Sequence, residues 1–356
     1  MSSRRALLVA VLVTLLAGAC APATVSQTPT AEPPAPKAGP RPPAAPAPAV
    51  AAESLPDVFE SDDFVVVVGR SGETAESLAA RHLGDAGKAW MIEDFMGART
   101  FTAGQHVAVP KRPWNLTGVE AGGYQIVPVL CYHNLGVESK GRLLLAARQF
   151  EQQMRYLKAE GYRVVSLADL VQWLHLRQQL PRKAVVLTFD DGYKAFREHA
   201  YPVLKELGFG ATLFVYTDYV GAGRNALSWD DLKTLAAEGF DIQAHSKTHG
   251  DLRRAATETD VQYARRIDAE LGEPLRLFQR HLGRRSPFLA YPYGRVDDAL
   301  LPKVREHGYI AAFTVRRESN GAFVPLLQVH RSQIYSEMTL EEFAKNLNVF
   351  HDEDLR

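Results

Sequence analysis

Acidic and imidazole side chains stand at two places in the sequence where short apolar runs end. Asp190 and Asp191 follow one such run, and His245 and His249 follow another. Neighbouring residues of an extended chain point to opposite sides, so one carboxylate can bind a metal while the other faces a substrate. Two imidazoles and one carboxylate leave coordination positions open for water and a substrate oxygen. The pattern therefore indicates a catalytic metal centre, with a plain Asp-Asp-Gly turn and two unrelated loop histidines as the alternative.

Repeated strand and helix patterns supply the elements that position these motifs. From Ile126 onward, continuously apolar β-branched runs alternate with amphipathic stretches that end at glycine. This alternation implies an α/β fold with a parallel sheet buried on both faces. Seven or eight units predict a (β/α)7–8 barrel, in which chemistry lies at the carboxyl ends of the strands. The predicted strands span 127–132, 163–166, 184–189, 211–216, 240–244, 288–291, 310–315 and 327–334. The predicted helices include 150–160, 201–207, 230–238 and 297–307.

A third segment, Tyr291–Gly294, has the sequence YPYG and follows another predicted strand. Together with TFDDG at 188–192 and HSKTH at 245–249, it resembles the NodB-homology polysaccharide deacetylases (carbohydrate esterase family 4). The resemblance predicts a deacetylase domain over residues 124–350, with a distorted (β/α)7–8 barrel of the NodB-homology type. It implies a hydrolase that removes N-acetyl groups from an N-acetylglucosamine-containing polysaccharide such as peptidoglycan or an exopolysaccharide. It also implies one divalent metal ion as cofactor, with Zn²⁺ as the expected ion.

The resemblance assigns roles to individual residues. Asp190 is the general base, and Asp191, His245 and His249 are the metal ligands. A water activated at the metal attacks the N-acetyl carbonyl, and the metal and the backbone N–H of Tyr293 stabilise the oxyanion. The predicted contacts to the sugar are Tyr291, Pro292, Tyr293 and His133.

Two functions of the family have no obvious residue in this sequence. Ala290 stands where relatives often have the arginine that orients the base. Arg331 is predicted to supply that charge from another strand, with a surface arginine as the alternative. The general acid is predicted to be His330, with His133 as its rival and neither residue as the third possibility. Cys131 lies inside an apolar run and is predicted to be a buried, inert thiol.

A smaller pattern occupies residues 57–113. A strand at 64–68, a Gly-Glu-Thr turn, a helix containing Leu78 and Leu83, and a closing strand predict a β-α-α-β module. This module resembles the LysM domain, which implies binding to cell-wall glycan; a packing module without a sugar groove is the alternative. It contains no cluster of carboxylates and histidines, so we expect it to target and not to catalyse.

The N-terminal segment is predicted to contain a signal peptide followed by a linker. Residues 1–19 have two arginines followed by an apolar run, which is typical of a signal peptide, and the segment ending at Cys20 resembles a lipobox. Of the 21 prolines, 11 lie between Pro22 and Pro56, so residues 20–56 are predicted to be a semi-rigid linker. The protein is therefore expected in the cell envelope, lipid-anchored through Cys20 to a membrane facing the periplasm or exterior, or secreted in soluble form.

Composition excludes several classes of function. The chain has 356 residues, with 41 Lys+Arg and 41 Asp+Glu, so no global basic field favours nucleic acid as a partner. Two cysteines exclude a disulfide scaffold. Two other functions compete with a deacetylase: a catalytically weak or inactive wall-binding lipoprotein scaffold, and a hydrolase of small cyclic amides. The complete set of two aspartates and two histidines argues against the scaffold, and the leader, linker and wall module argue against the small amide.

Overall fold

The computed structural model of the protein describes residues 58–356. The predicted signal peptide, Cys20 and the linker at 20–56 lie outside the described residues. Within 58–356, no helix combines the length and the apolar character needed to cross a bilayer.

The N-terminal module has the predicted order of strand, helix, helix and strand. Its core strands pair antiparallel, and an additional strand at the N-terminal side extends them to a three-stranded sheet. The elements are β1 (Val58–Glu60), β2 (Phe64–Val68), β3 (Glu73–Thr74), α1 (Ala75–Leu83), α2 (Ala89–Met96), β4 (Thr100–Phe101) and β5 (His106–Pro110). Alternate residues of β2 and β5 pack against Leu78 and Ile92 of the two helices, as a sheet with one solvated face requires.

Local signals define the ends of the first module helix. Thr74 and Ser77 form a reciprocal capping box at the start of α1, and Gly84 ends it in the left-handed conformation. The neighbouring Glu73 carboxylate accepts a hydrogen bond from the backbone N–H of Arg70 at 3.0 Å. The Gly-Glu-Thr segment is therefore the turn that the sequence predicts, and its residues satisfy the backbone donors at the helix start.

The remaining residues form the α/β domain. Its strands are β6 (Val119–Glu120), β7 (Gly123–Val127), β8 (Val129–Tyr132), β9 (Asn134–Gly136), β10 (Leu144–Ala146), β11 (Arg163–Val164), β12 (Ala184–Asp191), β13 (Thr212–Val215), β14 (Asp241–Ala244), β15 (Phe288–Ala290), β16 (Ala311–Phe313), β17 (Asn320–Gly321), β18 (Ser332–Gln333) and β19 (Phe350–Asp352). Its helices are α3 (Ala147–Ala159), α4 (Leu167–Leu174), α5 (Tyr201–Leu207), α6 (Trp229–Ala237), α7 (Asp260–Leu282), α8 (Leu300–Glu306) and α9 (Leu340–Ala344).

The central sheet is parallel and curled, and it forms a half-barrel. Its strand order is β16-β15-β14-β13-β12-β8-β18, with β11 paired to β12 as a branch. A segment late in the chain contacts both edges: the Val329 N–H donates to the Ala312 carbonyl at 2.9 Å, and the Ile334 N–H donates to the Cys131 carbonyl at 2.9 Å. All eight residues of β12 are buried because the sheet is covered on both faces. The carboxyl ends of β8, β12, β14 and β15 consequently meet at one rim.

Two strand predictions need correction. The strand predicted at 127–132 is divided into β7 and β8 at Pro128, which has no backbone N–H for a sheet ladder. The strand predicted over 327–334 is wrong as a continuous element. It begins with a 3₁₀ turn at Leu326–Gln328 and pairs as a strand only at β18, because this segment crosses from β16 to β8. The predicted strands at 184–189, 211–216, 240–244, 288–291 and 310–315 correspond to β12 through β16.

Candidate active site

The two adjacent aspartates end β12 and are both buried. Asp190 is 3% exposed and Asp191 is 9% exposed, and the backbone of Asp191 is left-handed with φ 76°. Gly192 follows with φ 84°, and a Cβ at this glycine would lie 3.0 Å from the Val215 side chain. The chain therefore turns sharply at the strand end and directs the two carboxylates to different partners.

The two histidines leave the end of β14 and approach Asp191. The Oδ1 atom of Asp191 lies 3.6 Å from Nε2 of His245 and 3.3 Å from Nε2 of His249. The Nδ1 atom of His245 is 2.8 Å from the carbonyl oxygen of Ala290. A carbonyl only accepts, so Nδ1 carries the proton and Nε2 keeps its lone pair for the cluster.

A divalent metal ion fits this donor set. One ligand atom from each of Asp191, His245 and His249 lies within 4.8 Å of the others, and among the described residues Asp191 Oδ1 is buried without a hydrogen-bond partner. Burial lowers the pKa of His245 to about 4, so its ring is neutral at pH 7. Burial raises the pKa of Asp191 to about 6. The negative charge of Asp190 adds to this increase, and the interaction with His133 reduces it. Neutral imidazoles and a carboxylate without a cationic partner are the ligands that Zn²⁺ and similar ions take.

Asp190 has a different partner, the completely buried guanidinium of Arg331. The pair is bidentate, with Nη1 to Oδ1 at 2.7 Å and Nη2 to Oδ2 at 2.8 Å. The remaining donors of Arg331 bond the Thr314 carbonyl at 2.9 Å and the Thr188 hydroxyl at 3.2 Å. Burial alone would raise the pKa of Asp190, but the Arg331 charge holds it below its usual range. Arg331 thus contacts Asp190 from the residue just before β18, and its role in orienting the base stays a prediction.

Strained backbone concentrates at this rim. Asp191, Ser246, His249 and Tyr293 have φ between 59° and 76°, a region that costs non-glycine residues roughly 1–2 kcal/mol each. The buried Ser246 hydroxyl accepts the His249 N–H at 3.0 Å and fixes the loop between the two histidines. Such strain persists only where surrounding contacts hold it.

One of those contacts was not apparent in the sequence. Glu270, on α7 and 6% exposed, accepts the N–H groups of Lys247 and Thr248 at 3.1 Å and 3.0 Å and the Thr248 hydroxyl at 2.7 Å. The carboxylate therefore holds the loop between His245 and His249 from outside the motif. No local pattern marks Glu270, because α7 follows the loop only after an irregular segment.

The predicted sugar contacts separate into buried and exposed residues. Tyr291 is completely buried, and its hydroxyl donates to the Leu327 carbonyl at 2.9 Å; Pro292 is buried as well. Their prediction as sugar contacts is corrected, because both side chains are part of the core. Tyr293 is 56% exposed, and its ring centroid lies 4.8 Å from that of His249. Only this residue of the motif presents its ring beside the candidate metal ligands.

Further tyrosines line the same rim. The rings of Tyr193 and Tyr219 are 5.7 Å apart, those of Tyr216 and Tyr219 are 5.1 Å apart, and Tyr216 lies 5.1 Å from His249. Aromatic rings with a polar tip suit the mixed apolar and hydroxylated faces of a sugar. No motif in the sequence marks these residues, because their segments adjoin only in the folded chain.

The two candidates for the general acid have different surroundings. His330 lies with Nδ1 at 3.3 Å from Glu318, and its backbone N–H donates to Asn320; its neighbour Arg331 is the residue that reaches Asp190. His133 follows β8 beside Asp190. Nδ1 of His133 and Nδ1 of His330 are both buried without a hydrogen-bond partner among the described residues. His330 contacts Glu318 and Asn320, whereas His133 lies next to Asp190. The identity of the acid stays a prediction.

Comparisons with known proteins show which family the chain resembles. Residues 177–312 match the family model described as polysaccharide deacetylase. The poly-beta-1,6-N-acetyl-D-glucosamine N-deacetylase of Staphylococcus aureus is 25% identical over 220 residues, covering 58% of this chain and 72% of the relative.

Solved structures show the same similarity. The Streptococcus pyogenes deacetylase PplD in complex with acetate is 27% identical with a TM-score of 0.57, covering 64% of this chain and 99% of that one. IcaB from Ammonifex degensii is 27% identical with a TM-score of 0.56, covering 63% and 98%. The residues of the family-model match include both aspartates, both histidines and Tyr293. The chain carries a polysaccharide deacetylase domain of the NodB-homology type and is a polysaccharide N-deacetylase.

Proposed function

We propose that the protein is a metal-dependent N-deacetylase of an extracytoplasmic polymer that contains N-acetylglucosamine. The observation that carries this proposal is the division of labour between Asp191, which faces His245 and His249, and Asp190, which pairs with Arg331. Asp191 is thereby available to bind a cation, and Asp190 is available to accept a proton.

Asp191, His245 and His249 would hold the ion, with Zn²⁺ as the expected metal. When bound, the ion acts as a Lewis acid toward the amide carbonyl and lowers the pKa of a bound water. Asp190 takes the proton from the attacking water, and Arg331 keeps it ionised and in one orientation. The Tyr293 N–H donates to the developing oxyanion.

The general acid must protonate the leaving amine, and His133 is the better candidate. His133 offers a ring nitrogen within 4.8 Å of an Asp190 carboxylate oxygen, whereas the ring of His330 is next to Glu318; Nδ1 of neither ring has a hydrogen-bond partner among the described residues. Replacing each by Gln separates them, because loss of a general acid costs about 10²–10⁴ in rate. A larger loss for His330→Gln than for His133→Gln would contradict this choice.

The substrate is proposed to be a polymer because one exposed and two half-buried tyrosines lie beside the site. Tyr293 and the ring stack of Tyr216 and Tyr219 flank the His249 ligand, which leaves a surface for sugar residues on either side of the reacting one. Poly-β-1,6-N-acetylglucosamine is the first polymer to test, because it is the substrate in the name of the Staphylococcus aureus relative. Peptidoglycan is the second, since the N-terminal module resembles LysM.

The cellular setting is also a proposal. Cleavage before Cys20 and lipidation of that residue would anchor the protein to a membrane in the envelope, and residues 20–56 would let the catalytic domain reach into the wall. The module at 57–113 would then bind wall glycan. Labelling with a fatty-acid analogue tests the anchor, since Cys20→Ser should abolish incorporation.

Acetate release tests the catalytic proposal. We expect release from a β-1,6-linked or peptidoglycan-derived polymer that is abolished by a chelator and restored by one equivalent of Zn²⁺. The variant with His245→Ala and His249→Ala should lose both metal and activity, and His106→Ala, an exposed histidine of the module, should lose neither. Full metal content in the double variant, or acetate release that ignores the chelator, would refute the proposal.

A further inference from the structure

A second set of metal-ligating atoms lies beside the first. One donor atom from each of Cys131, His133 and Asp190 lies within 4.8 Å of the others. The Cys131 thiol donates to Asp190 Oδ2 at 3.4 Å. Cys131 was predicted to be inert, yet its sulfur contacts the carboxylate that we assign as the base.

The parallel pairing of two strands explains why these donors converge. In the register of β8 and β12, Cys131 is opposite Thr188 and Tyr132 is opposite Phe189, so the next pair along is His133 and Asp190. Residues two apart on a strand share a face, which puts the thiol and the imidazole on the side of Asp190. The cluster is therefore fixed by strand register and not by a flexible loop.

The donors of this cluster have spare coordination capacity. Within residues 58–356, His133 Nδ1 is buried and has no hydrogen-bond partner, and Cys131 is completely buried. Each Asp190 oxygen accepts one Arg331 hydrogen bond. Oδ2 also accepts the Cys131 thiol, so its second lone pair becomes available when that thiol loses its proton. A thiolate, an imidazole and a carboxylate form a set that suits Zn²⁺ and the softer Cd²⁺ and not Mg²⁺ or Ca²⁺.

We propose that Cys131, His133 and Asp190 form a second cation site, which takes one Zn²⁺ or Cd²⁺ ion and thereby inhibits the enzyme. Binding exchanges the thiol proton for a metal–sulfur bond, and the proton leaves to solvent. The second ion binds more weakly than the first, because it must displace that proton from a buried thiol and lies near the Arg331 charge. Inhibition rests on the proposed function, since the ion would occupy the base Asp190 and the acid candidate His133. The metal site itself does not depend on it.

Equilibrium dialysis against Cd²⁺ tests the site without any assay of activity. All samples carry Cys20→Ser, so that Cys131 is the single thiol of the chain. We expect two Cd²⁺ per chain in this background and one after Cys131→Ser, and the two-ion form should show the ultraviolet thiolate-to-Cd²⁺ charge-transfer band. His245→Ala with His249→Ala should remove the other ion and keep the band.

Each remaining outcome decides the proposal. One Cd²⁺ per chain with no thiolate band, or equal stoichiometry before and after Cys131→Ser, overturns it. If Cys131→Ser is misfolded by circular dichroism, His133→Gln replaces it, and two bound ions in that variant also overturn the site. Inhibition is measured as each protein's rate in excess Zn²⁺ divided by its own rate at one equivalent. This ratio should be about 0.1 or lower in the Cys20→Ser background, which is a tenfold loss of rate. It should stay near one after Cys131→Ser. A thiolate band without this fall would leave a metal site and refute the inhibition.

Discussion

The N-terminal module and the rim of the deacetylase sheet solve the same problem, a sharp change of chain direction, in opposite ways. In the module, left-handed backbone occurs at Gly72, Gly84, Gly97 and Gly104, where glycine has no steric penalty. At the rim it occurs at Gly192 and Gly294 and also at four non-glycine residues, Asp191, Ser246, His249 and Tyr293. The module therefore follows local rules of turn and cap chemistry, whereas the rim maintains side chains in costly conformations through tertiary contacts.

The two regions also differ in how far their ion pairs are exposed to solvent. The module's Lys111–Glu60 ion pair is open to solvent, where screening leaves such a pair little net contribution to stability. Arg331 and Asp190 form a pair whose side chains are 0% and 2% exposed. A buried pair of this kind is costly to break, so we expect mutations at the rim to have much larger effects than mutations in the module.

The largest expected effect comes from the two adjacent aspartates. Asp190→Asn keeps the shape and removes the proton acceptor, so the rate should fall about 10²–10⁴-fold with metal content unchanged. Asp191→Asn removes a metal ligand, so the bound ion should be lost on dialysis along with activity. Elemental analysis beside an acetate assay distinguishes them. Metal loss from Asp190→Asn with retention in Asp191→Asn would mean that the roles are exchanged.

The second effect is on stability. Arg331→Met leaves the Asp190 charge buried without its partner, which should lower the free energy of unfolding by about 3–5 kcal/mol. The double variant with Asp190→Asn should recover part of this loss, since no uncompensated charge remains. Arg317→Met, an exposed arginine of the same domain, is the matched control. Denaturant unfolding measures all four proteins, and a loss below about 1 kcal/mol for Arg331→Met would show that the pair is not the support we infer.

More of the module than of the rim could be predicted from the sequence, because local patterns determine the module and tertiary contacts determine the rim. The order of elements in the module, its Gly-Glu-Thr turn and the strands β12 to β16 follow from local patterns, and the structure contains them. The rim contacts of Glu270, the tyrosine stack and the sulfur of Cys131 depend on strand register and helix packing. The contact of Arg331 with Asp190 was predicted, because the missing arginine at Ala290 required a substitute. The burial of Tyr291 was not predicted, because a motif does not tell which side chain faces the core.

The backbone strain itself can be measured at Tyr293. Tyr293→Gly removes the cost of φ 59°, and Tyr293→Ala removes the same ring while the strain stays. We expect the glycine variant to be more stable than the alanine variant by about 1 kcal/mol, while both lose activity on polymer because the exposed ring is absent. Thermal unfolding of the pair gives the difference. Equal stability would mean that the rim is not strained at this residue.

The smallest effect concerns the contact between the module and the deacetylase domain. Asp94 of α2 accepts the backbone N–H of Arg182 at 2.9 Å. Burial, opposed by the Arg182 hydrogen bond and charge, raises the pKa of this carboxyl from 3.8 to about 6. The folded state therefore holds the proton more tightly than the unfolded state, so the contribution of Asp94 to stability is full below pH 4 and is lost as the pH rises through 6.

Asp94→Asn should remove this dependence, because the amide oxygen still accepts from Arg182 and carries no charge. One pKa unit corresponds to about 1.4 kcal/mol, and the partial exposure of Asp94 reduces the effect to the order of 1 kcal/mol. The variant should match the natural protein at pH 4 and exceed its melting temperature by a few degrees at pH 7. Asp85→Asn, at an exposed cap of the same module, should give no such divergence. The melting temperatures of Asp94→Asn and the natural protein are compared at each pH between 4 and 7. A constant difference over this range would show that the contact does not hold the carboxyl protonated.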